Sequence, residues 1–366
     1  MNVLVVSGIW PPDVGGPASH GPELATFLLE HGHAPHALVT AGAAPEAEAY
    51  PVDWIPRSLP PGLRHARGAA RVRALARTSD VVYTTGMLGR SAAGSRLAAR
   101  PLVVKLTADP AYERAWRLGL TRASLERFQG ERGLATLPLR AARNGIVRGA
   151  AHVVAPSVYL RDLALAWGAR EATVLPNPAP DVHTLPPRDE LRAELGFAGP
   201  TVVFAGRLAP QKALHVAVAA ARSAGVDLVV AGDGPERDAL ERLGHARFLG
   251  PQPRSRVLEL FHAADASVLS SSWENFPHGA VESLAAGTPV VATDVGGVGE
   301  VVRDGVNGLL VPAGDQEALA VALRRLVQDD ELRGRLQAAA ARSVADYSRE
   351  RVYGRLLDIL NAAAAG

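Results

Sequence analysis

The run WENFPHGAVE, residues 273–282, carries two carboxylates, Glu274 and Glu282, in a stretch that is otherwise apolar, small or turn-forming. A strand-like run, ASVLSS, ends just before it, and Pro277 favours the first turn of a helix that continues to Gly287. Glu274 then lies in the loop at the helix mouth. Glu282 sits inside the helix, roughly 7 to 8 Å along its axis from Pro277. Between them the first-turn N–H groups point outward with the positive end of the helix dipole. That layout suits a ligand with hydroxyls at both ends and an anion in the middle, as in a nucleoside diphosphate sugar. Taken alone, the pair reads as readily as one solvated helix residue and one loop residue.

A second cluster adds weight. GRLAPQK follows the run TVVFA, placing Arg207 and Lys212 in the loop after a strand, where open α/β sheets bind ligands. A planar fork and a point charge suit the two phosphates of a leaving diphosphate. Among 39 basic residues only Lys105 and Lys212 are lysine, so each stands out in an arginine-biased chain. A third loop, SGIWPPDVGGPASH, brings Gly15 and Gly16 before a helix, where backbone can approach a ligand closely. The glycine pair is too far from its strand for a dinucleotide fingerprint.

These residues need strand ends and helix starts to hold them. Short apolar runs at 3–6, 36–40, 81–85, 102–106, 152–157 and 172–177 alternate with segments of helical period. A second series follows at 201–206, 227–232, 246–250, 266–271, 289–293 and 308–312. Such runs, bounded by Gly and Pro, predict buried parallel strands in two doubly wound, Rossmann-like α/β domains. Five prolines between 176 and 187 mark the linker. The expected domains are 1–178 with a returning C-terminal helix, 347–366, and 179–346. In that helix Val352, Leu356, Leu357 and Leu360 share a face.

Composition excludes several classes. With no cysteine in 366 residues there is neither a disulfide scaffold nor a thiolate metal site, and no DxD or His cluster suggests a metal. The first residues lack a basic flank and an apolar stretch of leader or membrane-span length, which predicts a cytoplasmic chain. Residues 1–180 hold 20 Lys and Arg against 13 Asp and Glu, while residues 181–366 hold 19 against 24. The basic half fits either a solvated arginine-rich surface or a face meeting anionic lipid at the inner side of the cell membrane. No aromatic-interleaved basic stripe or helix-turn-helix pattern points to nucleic acid.

The motifs PPDVGGPASH, GRLAPQK, AGDGPE, RFLG, SSSWENFPHGAVESLAAGTPVVATDVGGVGEVV and DGVNGLLVPAGD together resemble the family 4 retaining glycosyltransferases of the GT-B fold. The resemblance covers nearly the whole chain and is strongest from Thr201 to Asp315. Glu274 and Glu282 fit the family's E-x7-E motif. It implies two Rossmann-like domains facing across a cleft, the first on the acceptor side and the second binding the donor. It implies that Arg207 and Lys212 hold the donor diphosphate and that Glu282 binds ribose. Glu274, with Asn275 and the segment Phe276, Pro277, His278 and Gly279, would hold the sugar, while Gly15 and Gly16 approach the phosphates. Phe248 and Leu249 would lie beside the base.

The donor expected is a UDP- or GDP-sugar, with no cofactor, and the acceptor a lipid-linked or small-molecule hydroxyl in cell-surface polysaccharide or glycolipid synthesis. Arg207, Lys212 and Glu274 are the expected catalytic residues. The chain departs from the pattern at TADPAYER, where many relatives carry His-x-Asp; Lys105, Thr107 and Asp109 are the polar candidates left on the acceptor side. A nucleotide-sugar 2-epimerase of similar fold and a non-catalytic nucleotide-sugar sensor are the alternatives.

Overall fold

The computed structural model describes residues 1–13, 16–131, 133–182 and 185–366. Contacts divide the chain into two units, Met1–Asn177 with Glu350–Gly366, and Pro178–Arg349. Residues 347–349 therefore stay with the second unit, where the Tyr347 carbonyl accepts from the Ala179 N–H at 2.7 Å.

In the first unit, strands β1 (Asn2–Ser7), β2 (Ala34–Ala41), β3 (Val52–Pro56), β4 (Val81–Thr84), β5 (Leu102–Lys105), β6 (His152–Ala155) and β7 (Ala172–Val174) form one parallel sheet. Its order is β3-β2-β1-β4-β5-β6-β7. The second unit has β8 (Thr201–Ala205), β9 (Asp227–Ala231), β10 (Ala246–Gly250), β11 (Ala266–Leu269), β12 (Val290–Thr293) and β13 (Gly308–Val311), in the order β10-β9-β8-β11-β12-β13. In both sheets, whose strands are all parallel, the order in which strands are added reverses beside the first strand. The central strands are buried on both faces, hence their unbroken Val, Leu and Ala runs.

One strand falls outside the sequence expectation. β3 reads VDWIP, with polar residues interleaved and Pro51 and Pro56 at its margins. An edge strand pairs on one side only and tolerates proline, so it lacks the apolar run that marks its neighbours. The first helix also begins at Gly16, so this glycine, expected just before the helix, is its first residue.

The C-terminal helix Arg349–Ala365 packs in the first unit's core. Val352, Tyr353, Leu356 and Leu360 are buried with Leu24, Phe27 and Leu28 of the helix Gly16–Glu30, and Leu357 is partly buried beside them. Each large apolar side chain so buried contributes about 2 kcal/mol. A buried polar chain fixes the register. His20 Nε2 and Tyr83 Oη are 2.7 Å apart, Tyr353 Oη lies 3.3 Å from His20 Nδ1, and Tyr353 donates to Glu23 at 3.2 Å.

Candidate active site

The site in the second unit starts from strand order. β8 and β11 are neighbours, with Val202 opposite Ala266 and Val203 opposite Ser267. Their C-terminal loops, about 60 residues apart in the chain, must therefore leave the sheet side by side. Those loops carry Arg207 and Lys212 on one hand and Glu274 on the other.

Hydrogen bonds then staple one loop to the other. Ser270 Oγ donates to the Lys212 carbonyl at 2.9 Å, and the Ser272 N–H and hydroxyl donate to the Gln211 carbonyl at 2.8 and 3.0 Å. Gln211 Nε2 returns a bond to the Trp273 carbonyl at 3.0 Å. Lys212 Nζ forms an ion pair with Glu274 Oε1, and Ser271 Oγ donates to the same oxygen at 2.8 Å. Lys212 and Glu274, expected on the diphosphate and the sugar of one ligand, pair with each other because both sit on loops that adjacent strands hold together.

Arg207 is exposed, with its loop tied to the end of β9 by Gly206 N–H to Ala231 O and Leu208 N–H to Asp233 O, both 2.9 Å. Lys212 lies on a short 3-10 turn, Pro210–Lys212. The guanidinium is free to reach a ligand, whereas the ammonium is held in place.

The helix His278–Ala285 forms as its sequence predicts, burying Ala280, Val281, Leu284 and Ala285 on one side and ending where Gly287 takes φ +82°. Pro277 caps its start rather than occupying the first turn. Its open end is narrower than expected. The His278 N–H bonds to Phe276 O at 3.1 Å and the Ala280 N–H to Pro277 O at 3.0 Å, since the tight turn folds back on itself. A β-carbon on Gly279 would lie 3.3 Å from the Ala205 carbonyl oxygen, so the helix mouth abuts the end of β8. Asn275, Phe276 and Pro277 are buried, and the His278 ring meets Phe276 edge-on at 5.2 Å.

Glu282 is partly buried and pairs with Arg254 Nε at 3.3 Å, at the start of the helix Arg254–Ala263. Desolvation raises its pKa, and Arg254 partly offsets that. Phe248 and Leu249, just before the end of β10 at Gly250, are half-buried, with the Leu249 carbonyl accepting from Gln252 Nε2 at 2.8 Å.

Gly296 is a supporting residue the motif reading passed over, although the pair Gly296-Gly297 in DVGGVGE signalled a close approach. It adopts φ +52°, and a β-carbon there would come within 1.9 Å of the Glu274 carbonyl oxygen, which accepts the Gly297 N–H at 3.1 Å. Gly296→Ala is expected to destabilise the protein by about 2 kcal/mol or more, read in urea unfolding, and to weaken any ligand held by Glu274. Ser270, Ser271, Gln211 and Arg254 were also missed. A serine run after a strand has no periodic signal, and ion-pair partners from distant segments have none either.

The first unit places its candidates less openly. Gly15 lies outside the described residues, and Gly16 begins the first helix. Thr107 is exposed. Asp109 was expected to face an acceptor, but its carboxylate is fully engaged in structure. Oδ1 caps the helix Pro110–Arg117 through the Ala111 and Tyr112 N–H groups at 2.9 and 3.2 Å. Oδ2 accepts from Gln129 at 2.9 Å and Arg143 at 2.7 Å, and the Arg143 guanidinium lies 4.0 Å over the Trp167 ring. Lys105 closes β5 wholly buried, its ammonium nitrogen without a hydrogen-bond partner among the described residues. Burial pushes its pKa down to about 7.

Comparison with known proteins fits this arrangement. Residues 187–343 match the family described as Glycosyl transferases group 1. The chain is 38% identical over 181 residues to the lipopolysaccharide core biosynthesis glycosyltransferase LpsE of Rhizobium meliloti, covering 47% of the chain and 53% of the relative. It is 37% identical over 227 residues to the D-inositol 3-phosphate glycosyltransferase of Nocardia farcinica, covering 56% and 50%. These matches span about half the length of each relative. A Mycobacterium tuberculosis glycogen synthase is 26% identical over 404 aligned positions, covering 100% of the chain and 96% of the relative. Among solved structures, Anabaena HepE in complex with UDP-glucose superposes with a TM-score of 0.79 at 22% identity, over 99% of this chain and 100% of that one. WaaG, a glycosyltransferase involved in lipopolysaccharide biosynthesis, gives 0.74 at 18% identity, over 98% and 99%. At such identities the likeness is one of fold, and that fold is GT-B.

Proposed function

We propose that the chain is a retaining glycosyltransferase that moves a hexose from a nucleoside diphosphate sugar, UDP-hexose in the first instance, to an acceptor hydroxyl. The observation that carries this reading is the junction of the loops after β8 and β11, where Lys212 pairs with Glu274 and the mouth of the helix bearing Glu282 abuts the end of β8, two residues before Arg207. Arg207 and Lys212 hold the diphosphate, Glu282 the ribose hydroxyls, Glu274 and the Phe276–Gly279 backbone the sugar, and the end of β10 the base. In the reaction the bond from the anomeric carbon to the diphosphate oxygen breaks as the acceptor oxygen bonds to that carbon. The acceptor proton passes to the departing phosphate. Fixed cations stabilise the charge that grows on the leaving group, which lowers the barrier without a protein nucleophile.

The UDP-glucose complex of HepE supports UDP as the nucleotide, and the names LpsE and WaaG support a lipid-linked acceptor in cell-surface polysaccharide or glycolipid synthesis. The second domain takes the donor and the first the acceptor, with Lys105 and Thr107 on the acceptor side. Among the described residues no helix is long and apolar enough to cross a membrane.

Incubation with UDP- and GDP-hexoses and lipid-linked or small-molecule acceptors tests the reading. Release of the nucleoside diphosphate with glycosylated acceptor supports it. Isomerised sugar nucleotide supports an epimerase instead, and binding without release a sensor. Glu282→Gln is expected to weaken UDP binding about 10- to 100-fold in calorimetry, with the melting temperature little changed, because a charge-assisted hydrogen bond to ribose contributes about 1.5–3 kcal/mol. Unchanged affinity would remove Glu282 from the site.

A further inference from the structure

We propose that the segment Trp116–Leu120 docks the first domain on an anionic lipid surface. This deepens the acceptor side of the function proposed above by naming the surface that would meet a membrane-borne acceptor.

Every residue from Trp116 to Leu120 is exposed, with Trp116 at 51%, Leu118 at 55% and Leu120 at 42% of their full accessible surface. Within the helix Pro110–Arg117 the Trp116 ring meets that of Tyr112 at 6.1 Å, tilted, and still leaves half of its surface exposed. The helix's inner face already buries Ala111, Tyr112 and Ala115, with Tyr112 edge-on to Phe128 at 5.3 Å and its hydroxyl donating to the Ala123 carbonyl at 3.1 Å. The turn that follows is held by its backbone. Leu118 N–H bonds to Arg114 O at 3.1 Å, Gly119 N–H to Trp116 O at 3.0 Å and Leu120 N–H to Ala115 O at 2.9 Å. Three large apolar groups are thus presented by an ordered backbone.

The rim decides what covers them. Arg114, Arg117, Arg122 and Arg127 are exposed around this segment, against exposed Glu113 and Glu126. A tryptophan and two leucines flanked in sequence by four exposed arginines match the headgroup boundary of a bilayer, where indole sits at the interface and guanidinium groups meet lipid phosphates. A second copy of the chain fits poorly. A two-fold contact would set these flanking arginines against their own images, and like charges across an interface oppose association.

The test uses the full chain and sedimentation with vesicles of phosphatidylcholine alone or with one-quarter phosphatidylglycerol. Binding to the anionic vesicles that falls as salt rises is expected. Trp116→Ser/Leu118→Ser/Leu120→Ser should lower the partition at least tenfold. Arg114→Gln/Arg117→Gln should lower it about 25-fold, about fivefold per charge near such a surface. Both variants should keep wild-type melting temperature, since the residues are exposed. Vesicle binding is read without any sugar nucleotide, so it stands or falls apart from the donor reading. Equal partition of the apolar variant and wild type overturns the proposal. So does concentration-dependent dimerisation that the same variant abolishes.

Discussion

Lys212→Met is expected to lower kcat for sugar transfer by about 10²- to 10³-fold, the scale seen when one fixed donor to developing negative charge is removed. The same change strips a mostly buried carboxylate of its cation. Glu274 is 6% and Lys212 22% exposed at the side chain, so an unpaired Glu274 should also cost stability, up to about 3 kcal/mol after allowing for the solvent that reaches Lys212. The two effects separate in a double variant. Lys212→Met/Glu274→Gln removes the orphaned charge and should recover much of the melting temperature while turnover stays low. Lys212→Arg should not restore activity, because a planar fork cannot stand where a compact ammonium meets one carboxylate oxygen already shared with Ser271. Wild-type kcat in Lys212→Met would place the reacting diphosphate elsewhere.

Lys105→Met should make the protein more stable at neutral pH, by up to about 5 kcal/mol if the full shift from 10.5 to about 7 is realised. The sign follows from proton uptake. Between pH 7 and 10.5 the unfolded chain holds the lysine proton and the folded chain does not, so wild-type stability rises with pH across that window. Below pH 7 both states are protonated at Lys105 and the penalty is complete; above 10.5 it vanishes. The methionine variant should lack this slope. Its advantage should be largest at and below pH 7 and shrink to nothing near pH 10.5, read in urea unfolding at several pH values. A variant less stable than wild type at pH 7, or one with the same slope, would show that Lys105 has a partner in solution. A chain that keeps a destabilising lysine at the end of a central strand has a use for it, and turnover is expected to fall in Lys105→Met while UDP affinity holds.

Much of the framework was legible because parallel strands buried on both faces have little choice of residue. VLVV, LVVK, TVVFA and DLVVA are apolar runs because helices cover each sheet on both sides. VDWIP escaped because its edge position removes that demand. Glu274 and Glu282 were legible as a pair because one loop and one helix turn fix their spacing over eight residues. Asp109 misled for the opposite reason. Its local setting, just before Pro110, announces a helix cap, but nothing local announces Arg143, which arrives from 34 residues away to bury the carboxylate.

By itself the sequence determined what neighbouring residues can settle among themselves: the strands of both sheets save β3, the helix after Pro277 and the set of charged groups available. The tertiary structure decided who meets whom. Strand order seats β8 against β11 and so joins Lys212 to Glu274, packing brings Arg254 to Glu282, and the sheet interior buries Lys105 with no hydrogen-bond partner among the described residues. Partnership and burial depend on distances between segments far apart in the chain, and no local pattern of residue types encodes those distances.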